Sequence, residues 1–179
     1  MRIYTTKEEL FTSCNFEVRT KNDTLKAEAA WALYTLALEN GNPGAYGLAA
    51  EVLSRRPGSR KTTVSRQGKV DVYFNLEGKS TRAERKTTGG RIDRIQEPFI
   101  VYSLDVKNST GDKTISARIM RTADFLNALR KFGAIKKISH KGIVDGLAVQ
   151  PSNRSLWAWL EEQLEYNREW EYFPEDFEG

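Results

Sequence analysis

Three residues in the middle of the chain have types and spacing suited to phosphodiester chemistry: Asp71, Glu84 and Lys86. Val70, Val72, Phe74 and Leu76 alternate with Asp71, Tyr73 and Asn75, a period of two that predicts a β-strand. Glu77-Gly78 reads as a hairpin turn, and the next strand is expected over Lys79 to Thr88, closed by Gly89-Gly90. Residues two apart in a strand point to one face, so Glu84 and Lys86 project together, and hairpin pairing can bring Asp71 close to them. Two carboxylates converging on one spot repel unless a cation lies between them, and hard oxygen ligands with room for water suit Mg²⁺ or Mn²⁺. Such an ion activates water and stabilises charge building on a phosphate. The Lys86 ammonium would orient the water or bind the phosphate. The alternative is an exposed hairpin with one wet face, on which alternation alone produces a row of charges and ion pairs are worth little.

The charge distribution points to the same class of partner. Net charge is only +4, but Arg55 to Arg94 holds twelve Lys/Arg against four Asp/Glu, whereas Glu161 to Gly179 holds eight acids against Arg168 alone. A basic centre fits a polyanion, because phosphate binding is driven by counterion release. Arg66, Lys69, Arg82, Arg85, Arg91 and Arg94 are the candidate nucleic-acid contacts. The acidic end either folds back over that centre or serves solubility, and a solvated charged face is the plain alternative for both runs.

With 179 residues, 39% apolar and 11% aromatic, the chain is long enough for one domain with a real core, which argues against global disorder. No stretch approaches the 18 or so apolar residues of a membrane span, and the polar N-terminus does not read as a signal peptide. Cys14 is the single cysteine, so no internal disulfide forms. A cytoplasmic protein is expected, in the host cell if the chain is phage-encoded.

The elements that must position the three residues follow from pattern. Asn22 and Asp23 look like an N-cap for a helix from about Thr24 to Glu39, with an apolar stripe of Leu25, Ala29, Ala32, Leu33 and Leu36. A shorter helix is expected from Ala45 to Leu53. Phe99 to Leu104, apolar on both faces, reads as a central buried strand, and Thr114 to Met120 as a fourth. A helix starts near Thr122 and ends at Gly133. Ala134–Ile138 and Ile143–Val149 read as a small hairpin around Gly142. Ser152 or Asn153 caps a last helix containing Leu156, Trp157, Leu160 and Leu164, with Trp159 exposed, Trp170 on the same helix and a loose acidic tail beyond it. The fold class is therefore α/β: a mixed central sheet of about four strands flanked by helices. One domain over 1–179 is expected, with a core over 24–133 and a C-terminal hairpin, helix and tail over 134–179.

Val70-Asp71, twelve intervening residues and Glu84-Arg85-Lys86 resemble the signature of the PD-(D/E)xK nuclease superfamily, an acid on one strand and Glu-x-Lys on the adjoining one. The order of elements from about Thr24 to Leu129 is similar to that family's. The resemblance implies a restriction-endonuclease-like sheet and divalent-metal-dependent cleavage of DNA, less often RNA. Asp71 and Glu84 would be metal ligands, with Glu28 of the first helix and the Arg85 carbonyl as further candidates, and Lys86 would position the attacking water. The chain departs from the pattern twice: Val70 replaces the proline, and Arg85 stands where an apolar, core-facing residue is usual.

Other residues read more plainly. His140 sits in an expected turn without partner motif, Cys14 lacks a nearby His or Asp signature, and Gly89-Gly90 is not a phosphate loop. Three function classes result: a metal-dependent nuclease; a catalytically silent binder of DNA or of a host nucleoprotein complex, such as a phage anti-CRISPR inhibitor; and a homodimerising module using the tryptophan helix.

Overall fold

The computed structural model describes residues 2–54, 71–76, 78–86, 90–108 and 111–172. Helix α1 spans Lys7–Ser13 and buries Leu10. Helix α2 spans Lys21–Glu39 and starts before the expected Thr24, because Thr20 is the cap. Its hydroxyl accepts from the Asp23 N–H at 3.1 Å, while the Asp23 carboxylate accepts from the Thr20 N–H at 3.2 Å. Asp23 thus completes a capping box from the third helical position rather than capping the helix itself. Five alanines (27, 29, 30, 32 and 37) are buried along α2 with Leu33, Tyr34 and Leu36, so neighbours approach closely on several sides. Helix α3, Ala45–Ser54, and helix α4, Thr122–Phe132, both pack on it.

The strands are β1 (Asp71–Leu76), β2 (Lys79–Lys86), β3 (Phe99–Asn108), β4 (Gly111–Arg121), β5 (Ile135–His140), β6 (Ile143–Val149), β7 (Leu164–Glu165) and β8 (Glu171–Tyr172); helix α5 is Arg154–Glu161. Six strands form one sheet in the order β7-β4-β3-β2-β1-β8, and β5-β6 form a separate hairpin. The first hairpin, β1–β2, turns at Gly78, whose φ of +82° suits a residue without a Cβ. Strands β2 and β3 run parallel, whereas β3–β4 is antiparallel, so the sheet is mixed.

Period-two alternation sorts side chains onto two faces. Ile100, Tyr102, Leu104 and Met120 join the larger core under α2 to α5. Phe74, Ala83, Val101 and Ile119 face the other way, into a smaller core. Phe99–Leu104 is indeed central and two-sided, as its lack of alternation required.

That second core is closed by the C-terminal segment. The last helix stops at Glu161, so Leu164 and Trp170 are not on it. Instead Leu164–Glu165 pairs with the outer edge of β4, and Glu171–Tyr172 with the outer edge of β1. Between these two anchors the chain crosses the sheet, and Tyr166 meets Phe74 edge-on, with 6.1 Å between ring centroids, and Trp170 likewise. The strap therefore covers apolar surface and protects both sheet edges. Asn153 caps α5, accepting from Leu156 N–H at 2.9 Å, and Gly133 ends α4 in the left-handed conformation. No helix among the described residues is long and apolar enough to cross a membrane.

Candidate functional site

The parallel pairing of β2 with β3 creates the site. A parallel pair requires the chain to cross back from one end of the sheet to the other. The described part of that connection, residues 90–98, holds a 3-10 turn, Ile92–Arg94, and no α-helix. As this segment returns to β3 it passes the middle of β2. There the Glu84 Oε1 accepts hydrogen bonds from two successive backbone amides, Gln96 N–H and Glu97 N–H, the second at 2.8 Å. The Glu84 side chain is 6% exposed, so these bonds form in a poorly solvated place. Its Oε2 lies 3.6 Å from the Lys86 Nζ.

Asp71 stands directly across from Glu84 in the β1–β2 register, and opposite positions of an antiparallel pair share a face. The hairpin thus sets Asp71 opposite Glu84 in backbone register, with Lys86 two residues beyond Glu84 on β2. Further along the same face, Arg82 forms an ion pair with the buried Glu97 at 3.2 Å and lies 5.5 Å from the Tyr73 ring centroid. Glu97 was not singled out from the sequence. It lies in a loop, and only the crossover brings it back to β2. Its carbonyl accepts from the Thr122 hydroxyl at 2.6 Å, which ties the site to the first turn of α4.

The crossover segment is held from behind as well. Buried Asp93 accepts from Arg91 Nε at 3.1 Å and Nη2 at 2.8 Å, and from the Leu147 N–H at 3.1 Å. Arg91 also donates to the Asp145 carbonyl at 2.8 Å, and its guanidinium lies against Gly146, where a side chain would collide with it. The β5–β6 hairpin is thereby a buttress for the loop that caps Glu84.

The expected arginine belt takes a different form. Arg82 pairs with Glu97, Arg91 with Asp93, and Arg85 with Glu171 of the strap. Arg85 is on the opposite face from Glu84, so the residue that breaks the family pattern anchors β8 over the second core. Arg94 is exposed, and Arg66 and Lys69 lie outside the described residues. Glu28 is exposed on α2. Among the described residues no group of three or more His, Cys, Asp or Glu side chains is placed to hold a metal ion. His140 is exposed at the end of β5, and Trp159 is half-buried.

In charge terms, Glu84 and Glu97 are matched by Lys86 and Arg82. The amide pair fixes the Glu84 carboxylate with Oε2 turned to Lys86, the kind of hydrogen-bonded support that orients a ligating carboxylate. No protein-family model, curated protein or solved structure matches this chain.

Proposed function

We propose that this chain is a divalent-metal-dependent nuclease that hydrolyses phosphodiester bonds, with DNA as the favoured substrate and Asp71, Glu84 and Lys86 as its site. The observation that carries this reading is the β1–β2 register, which sets Asp71 across from a buried, orientationally fixed Glu84 that has the Lys86 ammonium 3.6 Å away. Asp71 and Glu84 would hold Mg²⁺ or Mn²⁺. The ion would supply an activated water and charge neutralisation at the phosphate. Lys86 would hold the water or a phosphate oxygen. A helix before the sheet, α2, and one after it, α4, support a restriction-endonuclease-like arrangement, with the strap as an addition.

The test is cleavage of plasmid and of single- and double-stranded oligonucleotides in Mg²⁺ or Mn²⁺, against EDTA, Asp71→Asn and Lys86→Met. Cutting is expected to need the metal and to fall at least a hundredfold in each variant, a typical loss for a group acting on a proton or on developing charge. Cleavage that persists in both variants, each shown to be folded, sinks the assignment.

A second reading has its own support. Charge at the described part of the site is already balanced, and three arginines expected to grip a backbone are held in internal ion pairs. A catalytically silent protein that binds DNA or a nucleoprotein would show salt-sensitive gel shifts in EDTA and no cutting under any metal.

A further inference from the structure

Helices α4 and α5 leave a groove of about 310 Å³ between them, at the small end of ligand sites. One wall is a single stripe of α4: Asp124, Asn127 and Lys131, spaced so that they face the same way. At 1.5 Å per residue the acid and the ammonium stand about 10 Å apart along the axis. The other wall is the half-buried Trp159, with Gln163 one turn on, and Phe132, the last residue of α4, lines the groove beside Lys131. Gln163 donates to the Trp159 carbonyl at 2.9 Å, which fixes its amide, and the Lys131 Nζ lies 5.5 Å from the Phe132 ring centroid. The lining is polarised, with a hydrogen-bond acceptor at one end, a cation at the other, and an aromatic face and amides between them.

Beyond the lysine end the charge continues. From Lys131 to Val144 the chain carries Lys131, Lys136, Lys137 and Lys141 and no Asp or Glu. All four lysines are exposed, unlike the arginines engaged around Glu84. Three of them stand on β5 or its turn, and among the described residues β5 pairs with β6 alone.

We propose that this groove binds a nucleotide. The base stacks on Trp159 with its amino edge toward Asp124 and Asn127, its phosphate meets Lys131, and the β5 lysines carry further phosphates when the nucleotide belongs to a single strand. Stacking on an aromatic ring suits a base that is not already paired. The inference does not depend on hydrolysis at Glu84.

The full chain in EDTA is titrated into fluorescein-labelled oligodeoxycytidylate by anisotropy, with the unlabelled oligonucleotide, duplex DNA, deoxycytidine monophosphate and polyglutamate as competitors. Single-strand binding is expected to weaken about tenfold in Trp159→Ala, the loss of one stacked base. In Lys131→Glu it is expected to lose salt dependence, by about 0.7 in the log–log slope for each phosphate contact given up. Lys131 is exposed, so that variant stays informative if Trp159→Ala does not fold. Competition by the monophosphate as strong as by the oligonucleotide identifies a free nucleotide as the ligand, and competition by the oligonucleotide alone identifies a strand. Affinity unchanged in both variants, equal competition by polyglutamate, or no binding of either ligand overturns the proposal. Metal-dependent cutting, read separately, stands or falls without affecting it.

Discussion

Replacing Glu84 with alanine should damage the fold as well as any chemistry. The carboxylate satisfies two buried amides, Gln96 N–H and Glu97 N–H, and faces the half-buried Lys86. Alanine leaves both amides without an acceptor, at about 1–3 kcal/mol each, and removes the negative partner of a lysine whose side chain is 18% exposed. Some relaxation and water entry will offset this, so a net loss of about 3–5 kcal/mol is expected, the usual scale for breaking a buried charged network. For a chain of this length each kcal/mol is worth roughly 2–4 °C, which puts the drop in Tm at roughly 6–20 °C. Glu84→Gln keeps an oxygen for the amides and should lose about half as much. Urea unfolding followed by circular dichroism, on both variants and the parent, gives the comparison. A Glu84→Ala protein within about 1 kcal/mol of the parent would refute the argument that this carboxylate holds the crossover in place. The corollary is practical: lost activity in Glu84→Ala does not by itself identify a metal ligand, so Asp71→Asn and Lys86→Met are the better reporters.

Two further outcomes test other parts of the structure. The Tyr102 hydroxyl is buried in β3 with no hydrogen-bond partner among the described residues, and burial pushes its phenol well above the ordinary value of 10.0. The folded state therefore holds this proton more tightly than the unfolded state does. The associated stability is intact below about pH 10 and declines as pH rises further, by about 1.4 kcal/mol per pH unit. Tyr102→Phe should be more stable than the parent by about 1 kcal/mol at pH 7 and should resist alkaline unfolding better; equal alkaline midpoints would count against it. The Arg85–Glu171 pair, with both side chains mostly buried, should give a coupling energy of about 1 kcal/mol in a double-mutant cycle of Arg85→Met and Glu171→Gln. Hydrogen exchange should speed up at Tyr73 and Phe74, the β8 contacts. Additive single-variant losses would show that the strap is held by its aromatic residues alone.

Much of the architecture was legible from local pattern. Alternation in 71–76, the Glu-Gly turn and the two-sided apolar run at 99–104 encode strand, hairpin and central position, because side-chain direction in a strand depends only on parity. The Gly133 stop and the Asn153 cap are equally local, since one residue supplies the left-handed conformation or the acceptor that a helix end requires. The backbone register that sets Asp71 across from Glu84 was readable for the same reason, as a hairpin fixes its own register. Where two local signals overlapped, as Thr20 and Asn22-Asp23 did at the start of α2, the sequence did not say which would cap.

What tertiary structure alone decided are contacts between residues far apart in the chain. Nothing near position 84 announces that amides 96 and 97 will return to it, or that Glu97 will neutralise Arg82, because the parallel crossover that joins them is a property of strand order. Arg85 looked misplaced in a core-facing position until Glu171, 86 residues later, arrived on β8 to pair with it. The described part of the acidic C-terminal run, residues 161–172, is a strap joining both sheet edges rather than the end of a helix, and it meets the β1–β2 hairpin through β8 and the Arg85–Glu171 pair. Two-residue strands have no periodicity of their own, and only the open edges of β4 and β1 give them a conformation to adopt.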